Sequence, residues 1–259
     1  MRKFLFFLLL LIAIAGGVVY YALTNLSGII ESSIENFGSQ ATQTQVSLDS
    51  VDLSLAEGTA ALNGLTVGNP SGYSSNNAVS LGRINVAIDL ESLQNCSATG
   101  CDVVTLKEVS VDSPQILYEL GQGGNNLKTI QKNVEAYTAG LSRGGSSSGS
   151  SSSSTKLIID RLVVRGGQIA VRRGESKIAD VPMPTIDMKN IGRSQGGVEP
   201  GQVAAIVLGR ITQASLGAVA KSGIQGILGG AGGAVDGVGG ILEGGGKKAG
   251  DKIKGIFDR

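Results

Sequence analysis

The sequence has no histidine and no tryptophan, and aromatic residues make up only 4% of its 259 positions. Without histidine the usual general base and the commonest metal ligand are both missing, which counts against acid–base and metal chemistry. The formal net charge is +1, so bulk charge points to neither nucleic acid nor a strongly acidic partner. Cysteine is nearly absent too, with Cys96 and Cys101 the whole supply. A redox pair would want C-x-x-C, and zinc would want further ligands that such a chain cannot readily supply. The spacing across Ser-Ala-Thr-Gly suggests instead a local disulfide that clips a hairpin loop in an oxidising compartment. On these grounds no catalytic residue, metal ligand or cofactor is expected, and the chain reads as a non-enzyme.

What the chain does have is glycine, at 40 positions, and one long apolar run. Phe4 to Leu23 carry no formal charge and close on Tyr20 and Tyr21. At about 1.5 Å per residue such a run matches a hydrocarbon core of ~30 Å, and the tyrosines suit the far interface. Arg2 and Lys3 precede it, and the next basic residue is Arg83, with Glu31, Glu35, Asp49, Asp52 and Glu57 between. The positive-inside rule then predicts a single-pass anchor with a cytoplasmic N-terminus. Ala13-Ile14-Ala15-Gly16 resembles a signal-peptide cleavage site, but the apolar run continues through Val18 and Val19. Either reading places residues 24 onward outside the cytoplasm.

Beyond the anchor, Leu26, Ile29, Ile30, Ile34 and Phe37 recur at helical spacing. The next signal is β. Val46 and Leu48 alternate, then Val51, Leu53 and Leu55 alternate in the opposite phase, which predicts a β-bulge at Asp49-Ser50. Glu57-Gly58 turns the chain into a strand over Thr59 to Val67. The turn Gly68-Asn69-Pro70-Ser71-Gly72 and Tyr73 follow, and then Ile84, Val86, Ile88 and Leu90 alternate with polar or small neighbours. Val103 to Val111 and Pro114 to Leu120 read as two more strands. Leu127, Ile130, Val134, Tyr137 and Leu141 make one helical stripe, with Asn125 or Asn126 as cap. Gly140-Leu141-Ser142-Arg143-Gly144 spells a nucleophile-elbow pattern, but the pattern needs a preceding strand and a histidine.

Residues 144–155 are a Gly/Ser run. After it, Lys156 to Arg165 reads as a strand, Gly166-Gly167 as a turn and Gln168 to Arg172 as the return strand. Ile178 to Ile191 is extended, and Pro182 and Pro184 place it at a sheet edge. Arg161, Arg165, Arg172 and Arg173 read as a solvated strand face, with phosphate or anionic lipid as the alternative. Pro200 opens a second helix, read as docked, with Val203, Val207, Ile211, Ala214 and Ala218 along one face. From Gly223 to Gly246 half the residues are glycine, and the tail to Arg259 is basic. The expected organisation is an anchor (1–23), a β module with a helix (24–142), a linker (143–155), a second β-hairpin region with a helix (156–222) and a glycine-rich tail (223–259).

Several of these stretches together resemble the AsmA family of bacterial envelope proteins. The carriers are the Asn69-Pro70-Ser71-Gly72-Tyr73 turn between strands, the Val111-Asp112-Ser113-Pro114-Gln115-Ile116 strand, Gly124-Asn125-Asn126-Leu127 before a helix, and Leu157 to Gly167. The resemblance covers most of residues 1–215; the short length, the serine run and the glycine-rich tail depart from it. It implies an inner-membrane anchor with a periplasmic body and a role in envelope or outer-membrane biogenesis. It also implies an α+β, β-rich fold: a curved antiparallel sheet with an apolar groove and two packing helices. Ile84, Val86, Ile88, Val109, Val111, Leu157, Ile159 and Val163 are the groove candidates. They would contact phospholipid acyl chains, with membrane lipids and envelope proteins as partners and no nucleic acid. Eight to ten strands at ~4.8 Å would make a sheet ~40–50 Å long. The alternative is a membrane-tethered scaffold whose own helices plug the groove and leave no lipid site.

Overall fold

The computed structural model describes residues 26–54, 56–74, 76–96, 101–121, 124–143 and 155–223. The expected anchor, Leu55, most of the serine run and the tail beyond residue 223 lie outside the described residues. Helix α1 (Leu26–Thr42) leads into strands β1 (Val46–Ser47), β2 (Ser50–Ser54), β3 (Thr59–Gly68) and β4 (Asn77–Ile88). A short 3-10 turn at Leu90–Asn95 precedes β5 (Val103–Asp112), β6 (Gln115–Gly121), the two-residue β7 (Gly124–Asn125) and helix α2 (Asn126–Arg143). The chain then forms β8 (Lys156–Arg165), β9 (Gln168–Arg173), β10 (Ser176–Pro182), β11 (Ile186–Ile191) and helix α3 (Pro200–Lys221). The fold is α+β and strand-rich, with three helices among the described residues: the entry helix and the two expected to pack on the sheet.

All eleven strands belong to one sheet, and it is mixed rather than antiparallel. β5 pairs with β8 and β6 with β9 in parallel. Parallel neighbours need a long crossover, and α2 with the serine-rich connection supplies the length. The strands also lie end to end. β5 and β6 follow β4 in one continuous antiparallel register, from Val86 opposite Val109 to Val79 opposite Ile116. β8 and β9 keep one parallel offset along β5 and β6, and β11 and β10 keep one register along β8 and β9. Gly166-Gly167 is therefore not a hairpin turn, and the expected hairpin of Lys156–Arg165 with Gln168–Arg172 does not form. The glycines let one strand line change phase and continue. The reversal comes later, between β9 and β10, which do pair. The sheet is six strand lines wide, roughly 25–30 Å at ~4.8 Å spacing, and so narrower than the strand count suggested.

Extending these registers to the unpaired residues aligns Asp49, Gly64, Gly82, Ser113, Gly166 and Pro184 in one row across the sheet. Gly64, Ser113 and Gly166 have positive φ, at 66°, 53° and 67°. Each line changes its inward-facing phase there, and because every line changes together the apolar face stays on one side. Leu62, Ile84, Val111, Val164 and Ile186 form the apolar row on one flank. Val67, Val79, Ile116, Ile169 and Val181 form one on the other. The phase reversal expected at Asp49-Ser50 is real, but it is not a two-against-one bulge. β3 makes the matching change at Gly64, so no residue is inserted.

The helices cover the apolar face. Leu127, Ile130 and Val134 of α2 are at most 2% exposed and join the sheet residues in one core. Phe37 of α1 meets Tyr137 of α2 edge-on with ring centroids 5.6 Å apart. Gly201 of α3 leaves room for Thr138, whose methyl would lie 2.9 Å from an added Cβ. α1 also covers the β1 edge, where Val46 N–H donates to Ser39 Oγ at 3.0 Å and Leu48 N–H to Glu35 Oε1 at 2.9 Å. At the opposite edge lie β10 and β11, interrupted by the two prolines as expected. α3 docks against α2 and strands β8, β10 and β11. Its buried residues are Gly201, Ile211, Thr212, Ser215 and Val219. Ile211 of the expected stripe is among them, and Val203, Val207, Ala214 and Ala218 pack half-buried against the core.

The phase-change row gives a direct test. An added Cβ at Gly64 would meet the Asp49 carboxylate at 1.9 Å with φ at 66°, whereas Gly82 in the same row has nothing within 4 Å. In urea unfolding, Gly64→Ala should cost about 2 kcal/mol or more, and Gly82→Ala under about 1 kcal/mol. Equal effects would contradict this account of the row.

Candidate functional site

The groove candidates separate by face. Ile84 and Val111 share one apolar row, and Val86 and Val109 share the next with Leu162 and Met188. Ile159 joins the same core opposite Leu106 and Ile191. Ile84, Val109, Val111 and Ile159 are all buried, while Val86 is half-buried against this core. Ile88 ends β4 opposite Leu106 and is half-buried. Leu157 exchanges two backbone hydrogen bonds with Val198, at 2.8 and 3.0 Å, and is also half-buried. Val163 is the exception. Its register partners are Ser110 and Asp187, so it points to the opposite face. An unbroken period of two along Leu157–Val163 would keep Val163 on the apolar face, but pairing with β5 is interrupted between Ile159 and Leu162, and the phase changes there. The apolar face thus shares one core with residues of the three helices.

The opposite face is polar and carries ion pairs across strand lines. Arg161 reaches Asp187 at 2.9 Å and Glu108 at 3.5 Å, and Arg165 reaches Asp112 at 2.5 Å. Arg193 pairs with Asp160, and Lys107 with Asp89 at 3.2 Å. Arg165 hydrogen-bonds Asp112 and holds its carboxyl below the usual range; Arg161 does the same for Asp187. Two of the four arginines weighed for phosphate are therefore committed to carboxylates. An open depression of 380 Å³ lies on this part of the sheet, lined in part by Asp52, Thr59, Arg83, Asn85, Glu108 and Ser110. Among the described residues no group of three or more His, Cys, Asp or Glu side chains is placed to hold a metal ion.

The most elaborate polar arrangement surrounds Glu119 in β6, which is 2% exposed. Its carboxyl accepts from Asn69 Nδ2 at 2.8 Å, Ser74 N–H at 2.9 and 3.1 Å, and Ser74 Oγ at 2.5 Å. Its own N–H donates to Asn126 Oδ1 at 2.9 Å. Asn126 Nδ2 donates in turn to Asn69 Oδ1 at 2.7 Å and to the Leu117 carbonyl at 2.8 Å. The Asn69–Tyr73 turn and the Asn125-Asn126 helix start are thus two ends of one latch. Asn125 is the α2 cap, accepting from Lys128 N–H at 2.8 Å, which frees Asn126 for the latch. Tyr73 completes it, lying against Gly121 and within 3.3 Å of Thr129 Oγ1. Nearby, burial pushes the Tyr118 hydroxyl above the ordinary tyrosine range. The sequence showed both motifs but nothing that joined them or singled out Glu119.

Cys96 and Cys101 are bonded, with Cα atoms 4.1 Å apart, in the connection between β4 and β5. The acidic exit from β4 is a capped turn rather than more strand, since Asp89 Oδ1 accepts from Glu91 N–H at 3.3 Å. Gly140 and Ser142 belong to α2, far from a strand-to-helix elbow. One helix among the described residues, α3, is long and apolar enough to cross a membrane by length and composition. The chain matches no protein-family model and no curated relative.

Two measurements follow from this geometry. Glu119→Gln puts an amide NH₂ among buried donors and should lower unfolding free energy by about 2–4 kcal/mol; an effect below about 1 kcal/mol would show the latch to be dispensable. Asp112 should titrate by NMR below the unperturbed 3.8, and return toward it in Arg165→Leu. Its lowered folded-state value means the pair's stabilisation is present above the unfolded pKa and fades as pH falls through the folded one. An unmoved titration in Arg165→Leu would contradict the pairing.

Proposed function

We propose that the chain is a membrane-tethered bacterial envelope protein of AsmA-like build, whose periplasmic body works as a closed scaffold. The observation that carries this reading is the cover over the apolar face. The strand residues best suited to line a lipid groove instead share one core with residues of α1, α2 and α3. The opposite face carries cross-strand ion pairs. The Cys96–Cys101 bond suits an oxidising compartment, and the charge asymmetry around Phe4–Leu23 suits an N-in, C-out anchor. The ordered AsmA-like motifs support the family assignment, and their chemistry in the latch is consistent with a body built to hold one shape. Its work is then to present a rigid surface to envelope proteins at the inner membrane; handling phospholipid would first require displacement of the cover.

Lipid mass spectrometry of the full chain, extracted in lipid-free polymer and exchanged into an exogenous detergent, tests the reading. A folded protein free of stoichiometric phospholipid is expected. One acyl lipid retained per chain after exchange would overturn the closed scaffold and restore the lipid-handling alternative.

A further inference from the structure

The three covering helices are not held alike. α2 is tied down at its start by the latch and at mid-length by Asn133, whose Nδ2 donates to the Thr42 carbonyl at 2.8 Å. α1 is tied to the β1 edge through Ser39 and Glu35. Farther along, Ile211, Ser215 and Val219 of α3 are held by packing, and its directed attachments lie at its N-terminal end. There Val198 is bridged to Leu157, Glu199 and Gln202 form a capping box, and Gly201 sits tightly against Thr138 and Phe37.

Toward its other end the packed face of α3 carries a defect. Thr212 is 2% exposed and Ser215 is 0% exposed, yet neither hydroxyl has a hydrogen-bond partner. A buried hydroxyl without a partner keeps the full cost of desolvation, so both side chains weaken docking that the surrounding apolar residues favour. Helix α3 contains no acidic residue and ends at Ser222 and Gly223, the latter with φ at 76°, before a stretch that is half glycine. By length and composition it meets the requirements of a membrane span, with Arg210 its one charge before the terminal Lys221.

We propose that α3 is a hinged cover: its C-terminal half lifts from the body about the Val198–Gly201 attachment while the sheet, α1 and α2 stay folded. Lifting bares apolar residues of β8, β10 and β11, which α3 contacts in the closed state. The two partnerless hydroxyls set how readily it lifts. This goes beyond the closed scaffold, because it gives that body a second, open state.

Both native cysteines are disulfide-bonded, so a single introduced thiol reports on opening. Val219→Cys places one at a residue 3% exposed on the packed face of α3, and Ile169→Cys places a control in the sheet core at 0%. In the full chain reconstituted in nanodiscs, a membrane-impermeant maleimide should label the α3 thiol much faster than the control. Adding Thr212→Val and Ser215→Ala should slow labelling at position 219 about tenfold and leave the control unchanged. Equal rates at the two thiols, or labelling unchanged or accelerated by the double substitution, would overturn the hinge. Circular dichroism checks that the variants fold, and hydrogen exchange of the α3 amides without any introduced cysteine gives the same comparison should a thiol variant fail. Retained lipid in the resting protein would overturn the closed scaffold without touching the hinge. Amides of α3 that exchange in step with those of the strands would overturn the hinge alone.

Discussion

The buried carboxyl of Glu119 is the constraint on which the rest of the body depends. A carboxyl group inside a protein is tolerated only when its oxygens are satisfied, and here the Asn69–Ser74 segment folds over β6 to do so. That demand brings the turn onto the sheet. The same turn then reaches Asn126 and fixes where α2 begins. With its start fixed, α2 lies so that Leu127, Ile130 and Val134 enter the core. α1 and α3 pack against α2 on either hand, through Phe37 and Tyr137 and through Gly201 and Thr138. One polar cluster thus determines how an apolar face comes to be covered.

The second constraint is the row from Asp49 to Pro184. A sheet with one covered face must keep its apolar residues on that face along every strand. Here every strand line changes phase at the same level, and the residues in the row suit the change. Glycine accepts positive φ without penalty, and Ser113 adopts it beside Gly166. Proline ends the row at an edge, where its missing N–H removes no ladder bond. On the far side, charges of alternating sign keep the polar face hydrated without leaving a field of one sign. The two faces therefore do separate work, one closed by helices and the other by paired charges.

Much of this was legible from local pattern, and the failures share a cause. The period of two located strands along most of the chain, and the phase change at Asp49 was visible because β1 and β2 are adjacent in sequence. The helical stripe from Leu127 was visible for the same reason. What local pattern could not supply was the pairing of distant segments. Gly166-Gly167 between two alternating runs looks like a hairpin, and only the register against β5 and β6 shows that the line continues. Val163 lies on the polar face because the phase of its strand changes at an interruption that the local alternation does not mark. The latch was hidden likewise: Asn69 and Asn126 are 57 residues apart, and nothing in either motif names the other. Glu119 reads from sequence as an ordinary outward strand residue, and it becomes decisive only when the turn closes over it.

The central claim is that turn and cover are one unit joined through this latch. A double-mutant cycle between Asn69→Ala and Asn126→Ala, read by urea unfolding, tests it most directly. The account predicts that the two substitutions are coupled by about 1–3 kcal/mol, because either one already breaks the shared arrangement around Glu119. Effects that add to within about 0.5 kcal/mol would mean that the turn and the helix start are independent, and that the cover is held by apolar packing alone.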